Sequence, residues 1–477
     1  MNELENANAI HLTDDPDAPQ RFSRLSGAIF FLLCFTLIFA TLAYGAVETW
    51  AFGFLSISTG LIAIFWLTDT WLNREFRFDT NLLQVPIFGL IVIGLIQLLP
   101  LRSTEIPADG EIWVSAVTSL SINPYATRLA VMQLVIYAVF FGACFVYISS
   151  AQRLRKIVTI VIIFGAIMAF FGILQRLASP EGIYGWRPTP QAIPFASFVN
   201  QHHFAAFMEM TIGLTLALLV GKATEKDKRL LLVIAIVLMG IAILLTGSRG
   251  GVLSLLGVLG FVLLTNILRK ADADGEEELS KEEKRARFKR NLAIVGGGLG
   301  LLVVLFGAVL LLGGDAPLTR GVGFTSQADV SSGRLHFWSI AVQIFKDYPI
   351  LGAGLDTYGT AFPFYDTWNG NFRVEQAHND YLQTLADAGI IGFLCIAAFI
   401  FLLFKQGLQR IGAEHSHFRR SVAVGAMAGC LGVLIHSFFD FPLRTPANAF
   451  FFLLFVVLQP LRFTSRNAAA HAGNGNR

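Results

Sequence analysis

The chain has 477 residues, of which 54% are hydrophobic and only 14% charged, with a mean hydropathy of +0.61. A soluble protein carries roughly 25% charged residues, so a water-soluble body of this size is excluded and the chain is expected in a membrane. The net charge of +3 says little as a total, because in a membrane protein the side on which the charges lie matters more than their sum.

The stretch up to Gln20 holds Glu3, Glu5, Asp14, Asp15 and Asp17 with no basic residue. It lacks the positive start of a signal peptide and is expected to be a disordered tail, residues 1–24, ahead of the first span. Beyond it, runs free of Asp, Glu, Lys and Arg recur at the ~20-residue length that a bilayer requires. They predict spans near 26–46, 50–68, 82–100, 129–148, 157–175, 203–220, 230–246, 251–268, 292–312, 388–404, 421–438 and 446–461. The expected fold is therefore all-α, a polytopic membrane protein of about twelve helices. Its expected parts are spans one to nine over 25–312, a large outer loop with short helices over 313–387, three more spans over 388–461 and a tail over 462–477. Cys34, Cys144, Cys395 and Cys430 lie in apolar runs without metal-ligand spacing, so neither a disulfide framework nor a metal site is implied.

Alternating these spans from an inner N-terminus puts 26 of the 36 Lys and Arg inside, as the positive-inside rule requires. Nine of the ten outer cations are arginine: Arg102, Arg128, Arg176, Arg187, Arg249, Arg320, Arg334, Arg373 and Arg444, against Lys346 alone. Arginine offers a planar fork that binds phosphate bidentately and is weakly hydrated. An arginine-rich outer face thus points either to a phosphate-bearing ligand or to anchoring at lipid headgroups.

The inner loop 269–291, with EEELSKEEKRARFKR, reads as a solvated linker, and its Asp272–Ala273–Asp274 as solvated charge rather than a nucleotide-diphosphate site. The outer loop 313–387 is the extramembrane segment with a hydrophobic pattern. In SGRLHFWSIAVQIFKDYP, Leu335, Trp338, Val342 and Phe345 recur at helical spacing and predict an amphipathic helix on the membrane surface, ending before Pro349. In QAHNDYLQTLADAG, His378, Leu382 and Leu385 are expected on one face of a helix that runs through Gly389 into the tenth span.

Chemistry-bearing residues cluster at the predicted outer ends. In LLTGSRGGVLSLL, Ser248 is placed to cap the eighth span, and Gly250 with its neighbouring glycines would let a ligand approach backbone N–H groups at a helix start. Arg249 beside them is either a diphosphate clamp or an arginine turned to lipid phosphate. Arg334 heads the amphipathic helix. His378 can serve as a base near neutral pH or as a structural hydrogen bonder. His202 and His203 stand at the mouth of the sixth span, and Glu209 lies inside it, where an ionisable group is either functional or paired with an arginine. His436 and Asp440, one turn apart in LIHSFFDFPLR, could orient a catalytic group or pair with Arg444. Arg320 and Arg373 are further ligand candidates on the outer loop.

The segments PFASFVNQHHFAAFMEM, GSRGG, SGRLHFWSIAVQIFKDYPILGAGLDTYG and HNDYLQTLADAGIIG together resemble the O-antigen ligase and polymerase superfamily of bacterial envelope glycosyltransferases, over about residues 190–445. The resemblance implies a metal-independent, inverting enzyme without cofactor, facing the periplasm from the inner membrane with both termini cytoplasmic. It implies that Arg249 and Arg334 bind the diphosphate of an undecaprenyl-linked glycan donor, and that His378 activates the hydroxyl of an acceptor such as a lipid A core sugar. His378 is followed by Asn379 and Asp380, and Asp380 or Glu375 could share the base role. Ser248, Gly250, Arg320, Arg373, His203, Glu209, Asp440 and Arg444 are expected to bind substrate. The bilayer is the expected setting, and nucleic acid is not an expected partner. Ligation and repeat polymerisation both fit. Transport or flipping of a lipid-linked saccharide fits less well, because no repeat of halves is visible.

Overall fold

The structure, a computed structural model, describes residues 23–75, 77–108, 112–178, 182–190, 192–273, 333–368 and 373–459, with positions 282, 285, 289 and 370. The expected span 292–312, Arg320, Asp274, the C-terminal tail and nearly all of the N-terminal tail lie outside these residues. The remaining expected spans coincide with helices: α1 (Arg24–Leu42), α2 (Thr49–Asn73), α3 (Val85–Gln97), α4 (Pro124–Tyr147), α5 (Ala151–Ala178), α6 (Gln201–Val220), α7 (Lys226–Leu245) and α8 (Arg249–Ala273). After them come two short helices, α9 (Arg334–Asp347) and α10 (Tyr358–Tyr365), and then α11 (Asp380–Ala413), α12 (His417–His436) and α13 (Pro446–Leu458). Among the described residues nine helices are long and apolar enough to cross a membrane, while Leu82–Gln97 and Pro446–Leu458 are shorter apolar helices. The chain is a multi-pass membrane protein.

Helix is the form that satisfies every backbone group inside lipid, and the helix starts carry the residues that satisfy the remainder. Asn123 accepts from Ala126 N–H at 3.1 Å, Asn200 from His202 N–H at 2.8 Å and Ser248 from Gly251 N–H at 3.1 Å. Pro stands in the first turn of α3, α4 and α13, where its missing N–H costs nothing.

The centre of the bundle is α6, 83% buried along its apolar window against 28% for α7 and α8. It packs on α12, and both pack on α8. Backbones come close there because α12 carries Gly425 and Gly429 four residues apart. A Cβ at Gly425 would stand 2.6 Å from Leu214 Cα, and one at Gly429 2.8 Å from Met210 Cα. Without a hydrophobic driving force between helices in lipid, such close small-residue contacts supply the dispersion energy that holds them together.

Three features depart from the expected chain trace. The stretch after α3 contains an antiparallel hairpin, β1 (Arg102–Ala108) with β2 (Ile112–Thr118), so the fold is not wholly helical. The segment between α5 and α6 has a core of its own, with Ile183, Phe195 and Phe198 buried, so the 313–387 loop is not the sole patterned extramembrane segment. The helix expected to pass smoothly through Gly389 breaks there, with φ +64° and ψ −165°. Into the break fits the turn after α9: Ile390 N–H donates to Pro349 O at 2.8 Å, Ala353 N–H to Ala386 O at 2.9 Å and Gly354 N–H to Asp387 O at 3.1 Å. Gln97, fully buried at the end of α3, donates to Asp387 O at 2.9 Å and accepts from Leu355 N–H at 2.8 Å. The outer segments are thereby fastened to the bundle and cannot drift as a floppy loop would.

The helix α9 ends at Asp347, ahead of Pro349 as expected, but it buries a different face. Ile340, Ala341 and Ile344 pack with Tyr358, Phe362 and Ala386, whereas Leu335 and Val342 of the expected stripe are exposed. The helix is apolar on two sides, and periodicity alone could not say which side meets protein.

Candidate active site

The ends of α6, α8, α11 and α12 meet at one end of the bundle, and the chemistry-bearing residues gather around them. His378 lies two residues ahead of α11 rather than on its face. It adopts φ +50°, a left-handed conformation that costs a residue with a side chain ~1–2 kcal/mol. The surroundings hold it there. Asn379 caps α11 through Tyr381 N–H and Leu382 N–H and donates from Nδ2 to Phe438 O at 3.1 Å. Asp380 N–H donates to Ser437 O at 2.9 Å, and the Tyr381 hydroxyl to Leu434 O at 2.7 Å. Segment 378–381 is thus stitched to the end of α12, and strain imposed in this way is found where a side chain must be aimed.

What the imidazole is aimed at is Asp440. His378 Nδ1 donates to Asp440 Oδ1 at 3.2 Å, and the same oxygen accepts Phe441 N–H at 2.9 Å. Burial by itself would raise the Asp440 carboxyl; the His378 hydrogen bond, with the charges of His378, His202 and His203, outweighs it and holds the group well below the ordinary carboxylate range. An ionised acceptor at Nδ1 fixes the proton on that nitrogen and leaves Nε2 with its lone pair. The His378 side chain is 30% exposed and Asp440 is 2% exposed, so the ring is reachable while its partner is sheltered. Phe441 meets the His378 ring edge-on at 4.9 Å, Phe337 lies at 5.9 Å, and Trp338 Nε1 donates to His378 O at 3.4 Å.

Beneath this pair, His203 Nε2 lies 4.0 Å from Asp440 Oδ1, its Nδ1 is 2.7 Å from the Thr445 hydroxyl, and its carbonyl accepts from Asn448 Nδ2 at 2.9 Å. Glu209, for which an arginine partner is one of the expected alternatives, instead binds His436: Nδ1 and Oε1 share a hydrogen bond at 2.7 Å, and both residues are buried. The space beside Gly250 is taken by that same His436, because a Cβ there would stand 3.0 Å from its Cδ2, and the space beside Gly251 by Ala205. These glycines therefore bring the start of α8, to which Arg249 belongs, against α6 and α12. Arg334, at the start of α9, is near enough for its charge to act on His202 and His436. Around His436 and Asp440 the fold thus collects Arg334, His378, His203 and Glu209, with Gly250, next to Arg249, against His436.

The other outer arginines have different surroundings. Arg444 reaches Asp356 at 3.1 Å, Asp387 at 3.0 Å and Asp380 at 3.6 Å, tying the segment between α12 and α13 to α11 and to the turn in its break. Arg187 pairs with Glu48, and the exposed Arg373 with Glu375. Arg334, half-buried, forms no ion pair among the described residues. Two charges of the same type thus differ in what they can do: a guanidinium saturated by carboxylates holds protein together, and one without a carboxylate can receive an anion. Among the described residues no three His, Cys, Asp or Glu side chains are gathered as a metal site, and the four cysteines are free thiols.

Sequence reasoning did not single out Phe337, Phe441, Thr445 or Asn448. Asn448, fully buried in a helix of otherwise apolar residues, was the visible signal, since an amide at that depth needs a partner.

With the arginines and the imidazole at one end of the bundle, the comparison with protein families becomes specific. Residues 234–397 match the family model described as O-antigen ligase. Over those residues the chain is similar to O-antigen ligases. The resemblance drawn from its motifs is borne out over that stretch. No curated protein matches the chain. The matched stretch includes Arg249, Arg334 and His378 and stops before Asp440; His203 and Glu209 precede it. The tertiary structure therefore completes the surroundings of His378 with residues from either side of that stretch.

Proposed function

We propose that the protein is a glycosyltransferase that moves a glycan from undecaprenyl diphosphate to a sugar hydroxyl at the outer face of the inner membrane, with both termini inside. The observation that carries this reading is the half-exposed His378 held by the buried, ionised Asp440 in the neighbourhood of an arginine without a carboxylate partner. The match to the O-antigen ligase family supports a lipid-linked glycan as substrate.

In this reading Arg334 and Arg249 receive the diphosphate, and the start of α8 adds its dipole. His378 Nε2 takes the proton of the acceptor hydroxyl as the oxygen attacks C1 of the donor sugar. The C1–O bond to the diphosphate breaks, the electron pair leaves with undecaprenyl diphosphate, and the guanidiniums stabilise the charge that grows there. Asp440 stabilises the imidazolium formed on His378, as a buried carboxylate does for a catalytic histidine elsewhere. Attack from the face opposite the leaving group inverts the anomeric centre. The diphosphate ester is already an activated leaving group, so the step as written uses no metal or cofactor. His203 and the Glu209–His436 pair set the floor of the site, while Arg444 holds the turn that carries Asp440 to α11. Ser248 and Gly250, next to Arg249, and the outer arginines Arg373 and Arg320 are proposed to assist in binding substrate.

Transfer to a lipid A core sugar is the reading put first, and polymerisation of lipid-linked repeats the second. Envelope glycans separate them on a gel. Loss of a ligase leaves full-length polymer on its carrier, whereas loss of a polymerase leaves single repeats. Purified protein in detergent, without compartments, is expected to join donor to acceptor; activity confined to sealed vesicles would refute the transferase and support transport.

A further inference from the structure

The circumference of α9 divides into three. Ile340, Ala341 and Ile344 face the protein core, and Ser339, Gln343 and Lys346 are exposed polar positions. Between these two sectors Leu335, Trp338, Val342 and Phe345 recur at three- and four-residue spacing, each of them half-buried or exposed. The exposed Pro349 continues the row past the end of the helix, and Ile350 follows it. Leu335 is 64% exposed and Ile350 62%, so protein leaves both ends of the row open. An apolar sector bounded by the core on one side and by polar residues on the other is the pattern of a helix lying in a membrane interface.

The fastening of α9 fixes where that sector lies. Near its start Trp338 Nε1 donates to the carbonyl of His378, which is itself held at the end of α12. Past its end the carbonyls of Pro349 and Ile350 accept from Ile390 and Ile391 N–H of α11 at 2.8 and 3.3 Å. Fourteen residues rise about 21 Å, and both ends of that length are tied to ends of membrane-spanning helices, so α9 lies across the end of the bundle. The apolar row also runs on into the faces that meet lipid. From the Ile350 contact, the exposed Ile391, Leu394 and Phe401 continue it along α11. The exposed Leu95 and Leu99 reach the same turn from α3, where Gln97 donates to Leu351 O.

We propose that the Leu335–Val342–Ile350 face of α9 is seated in the bilayer leaflet on the His378 side, against lipid acyl chains. Continuity decides for lipid over a second copy of the chain, because any protein covering this row would have to end where the row joins residues already in the membrane. Lys346, at the polar border of the row, is placed to reach lipid phosphates with its long cationic side chain. Arg334, the first residue of the helix, is thereby held at the depth of those phosphates. The seating does not depend on the transferase reading.

The test uses the full-length protein in phosphatidylcholine vesicles, with the photoreactive side chain p-benzoylphenylalanine placed at one position at a time. After irradiation, peptides are weighed for attached lipid, and a melting temperature equal to that of the wild type shows that each labelled protein is folded. Labels at Val342 and Ile350 are expected to capture lipid about as well as a label at Leu394, on the membrane-spanning face of α11. A label at Gln343, one residue from Val342 but in the polar sector, is expected to capture on the order of tenfold less. Labels at Val342 and Ile350 that stay free of lipid while the Leu394 label captures it would overturn the proposal. So would equal capture at Val342 and Gln343, or a crosslink from Val342 to a second copy of the chain in place of lipid.

Discussion

Asp440 offers the sharpest test, because two substitutions there remove different parts of one contact. Oδ1 accepts from His378 Nδ1 at 3.2 Å and from Phe441 N–H at 2.9 Å. In Asp440→Asn the amide oxygen can still accept both, so geometry survives and only the charge is lost. A hydrogen bond to a charged group contributes ~1.5–3 kcal/mol and a neutral one ~0.5–1.5 kcal/mol. The charge alone is then worth about 1–1.5 kcal/mol, which lowers transfer roughly five- to tenfold. Asp440→Ala removes acceptor and charge together, and the whole ~1.5–3 kcal/mol corresponds to a loss of roughly ten- to 150-fold. The expected order is therefore wild type, then Asn, then Ala, read as initial rates of glycan transfer by purified protein. The pH dependence follows from the depressed Asp440 carboxyl. A depressed acid contributes fully above its unfolded value of about 3.9 and loses its contribution only as the pH falls through the lower folded value. Asp440 itself is accordingly expected to stay ionised between about pH 5 and pH 8, so its own titration adds nothing to the pH dependence of transfer in that window. Well-folded Asn and Ala variants that both transfer at wild-type rates would refute the role given to the pair.

His378→Gly and His378→Ala are both expected to abolish transfer and both lose the Asp440 contact, but the Gly variant is expected to be the more stable of the two by about 1 kcal/mol, since glycine adopts φ +50° without the Cβ penalty; equal melting temperatures of the two variants would contradict the strain argument. Arg334→Lys keeps the charge and loses the fork, and a rise of about tenfold in the KM for the diphosphate donor, with little change in KM for acceptor, is the expected kinetic signature. Glu209→Leu leaves His436 buried without its partner and is expected to cost ~3–5 kcal/mol, visible as lost expression or early thermal aggregation and restored in part by adding His436→Phe. Gly389→Ala places a Cβ 2.4 Å from the Ile350 backbone at φ +64°, and left-handed strain with overpacking predicts ~2–5 kcal/mol of destabilisation, measurable as a lower melting temperature in detergent.

The sequence by itself determined the setting and the outline. Charge-free runs of bilayer length, with cations concentrated on one side, are enforced by the cost of an unpaired polar group in lipid, so span positions were legible without contacts. The start of α9 at Arg334, its end before Pro349 and the cap at Ser248 were legible for a similar reason: they are local preferences of a few consecutive residues. Tertiary structure alone decided which polar residues meet. Glu209 and His436 are 227 positions apart, and His378 and Asp440 62 apart; no periodicity links such pairs, and the sequence left Asp440 with Arg444 as an equal alternative. It also decided which outer arginines are spent on carboxylates, as Arg444 is and, among the described residues, Arg334 is not, because that depends on where three aspartates from separate segments come to rest. The break at Gly389 belongs to the same class, since a glycine inside a helical pattern becomes a hinge only when another segment, here the turn at Ile350, is pressed into its missing side chain.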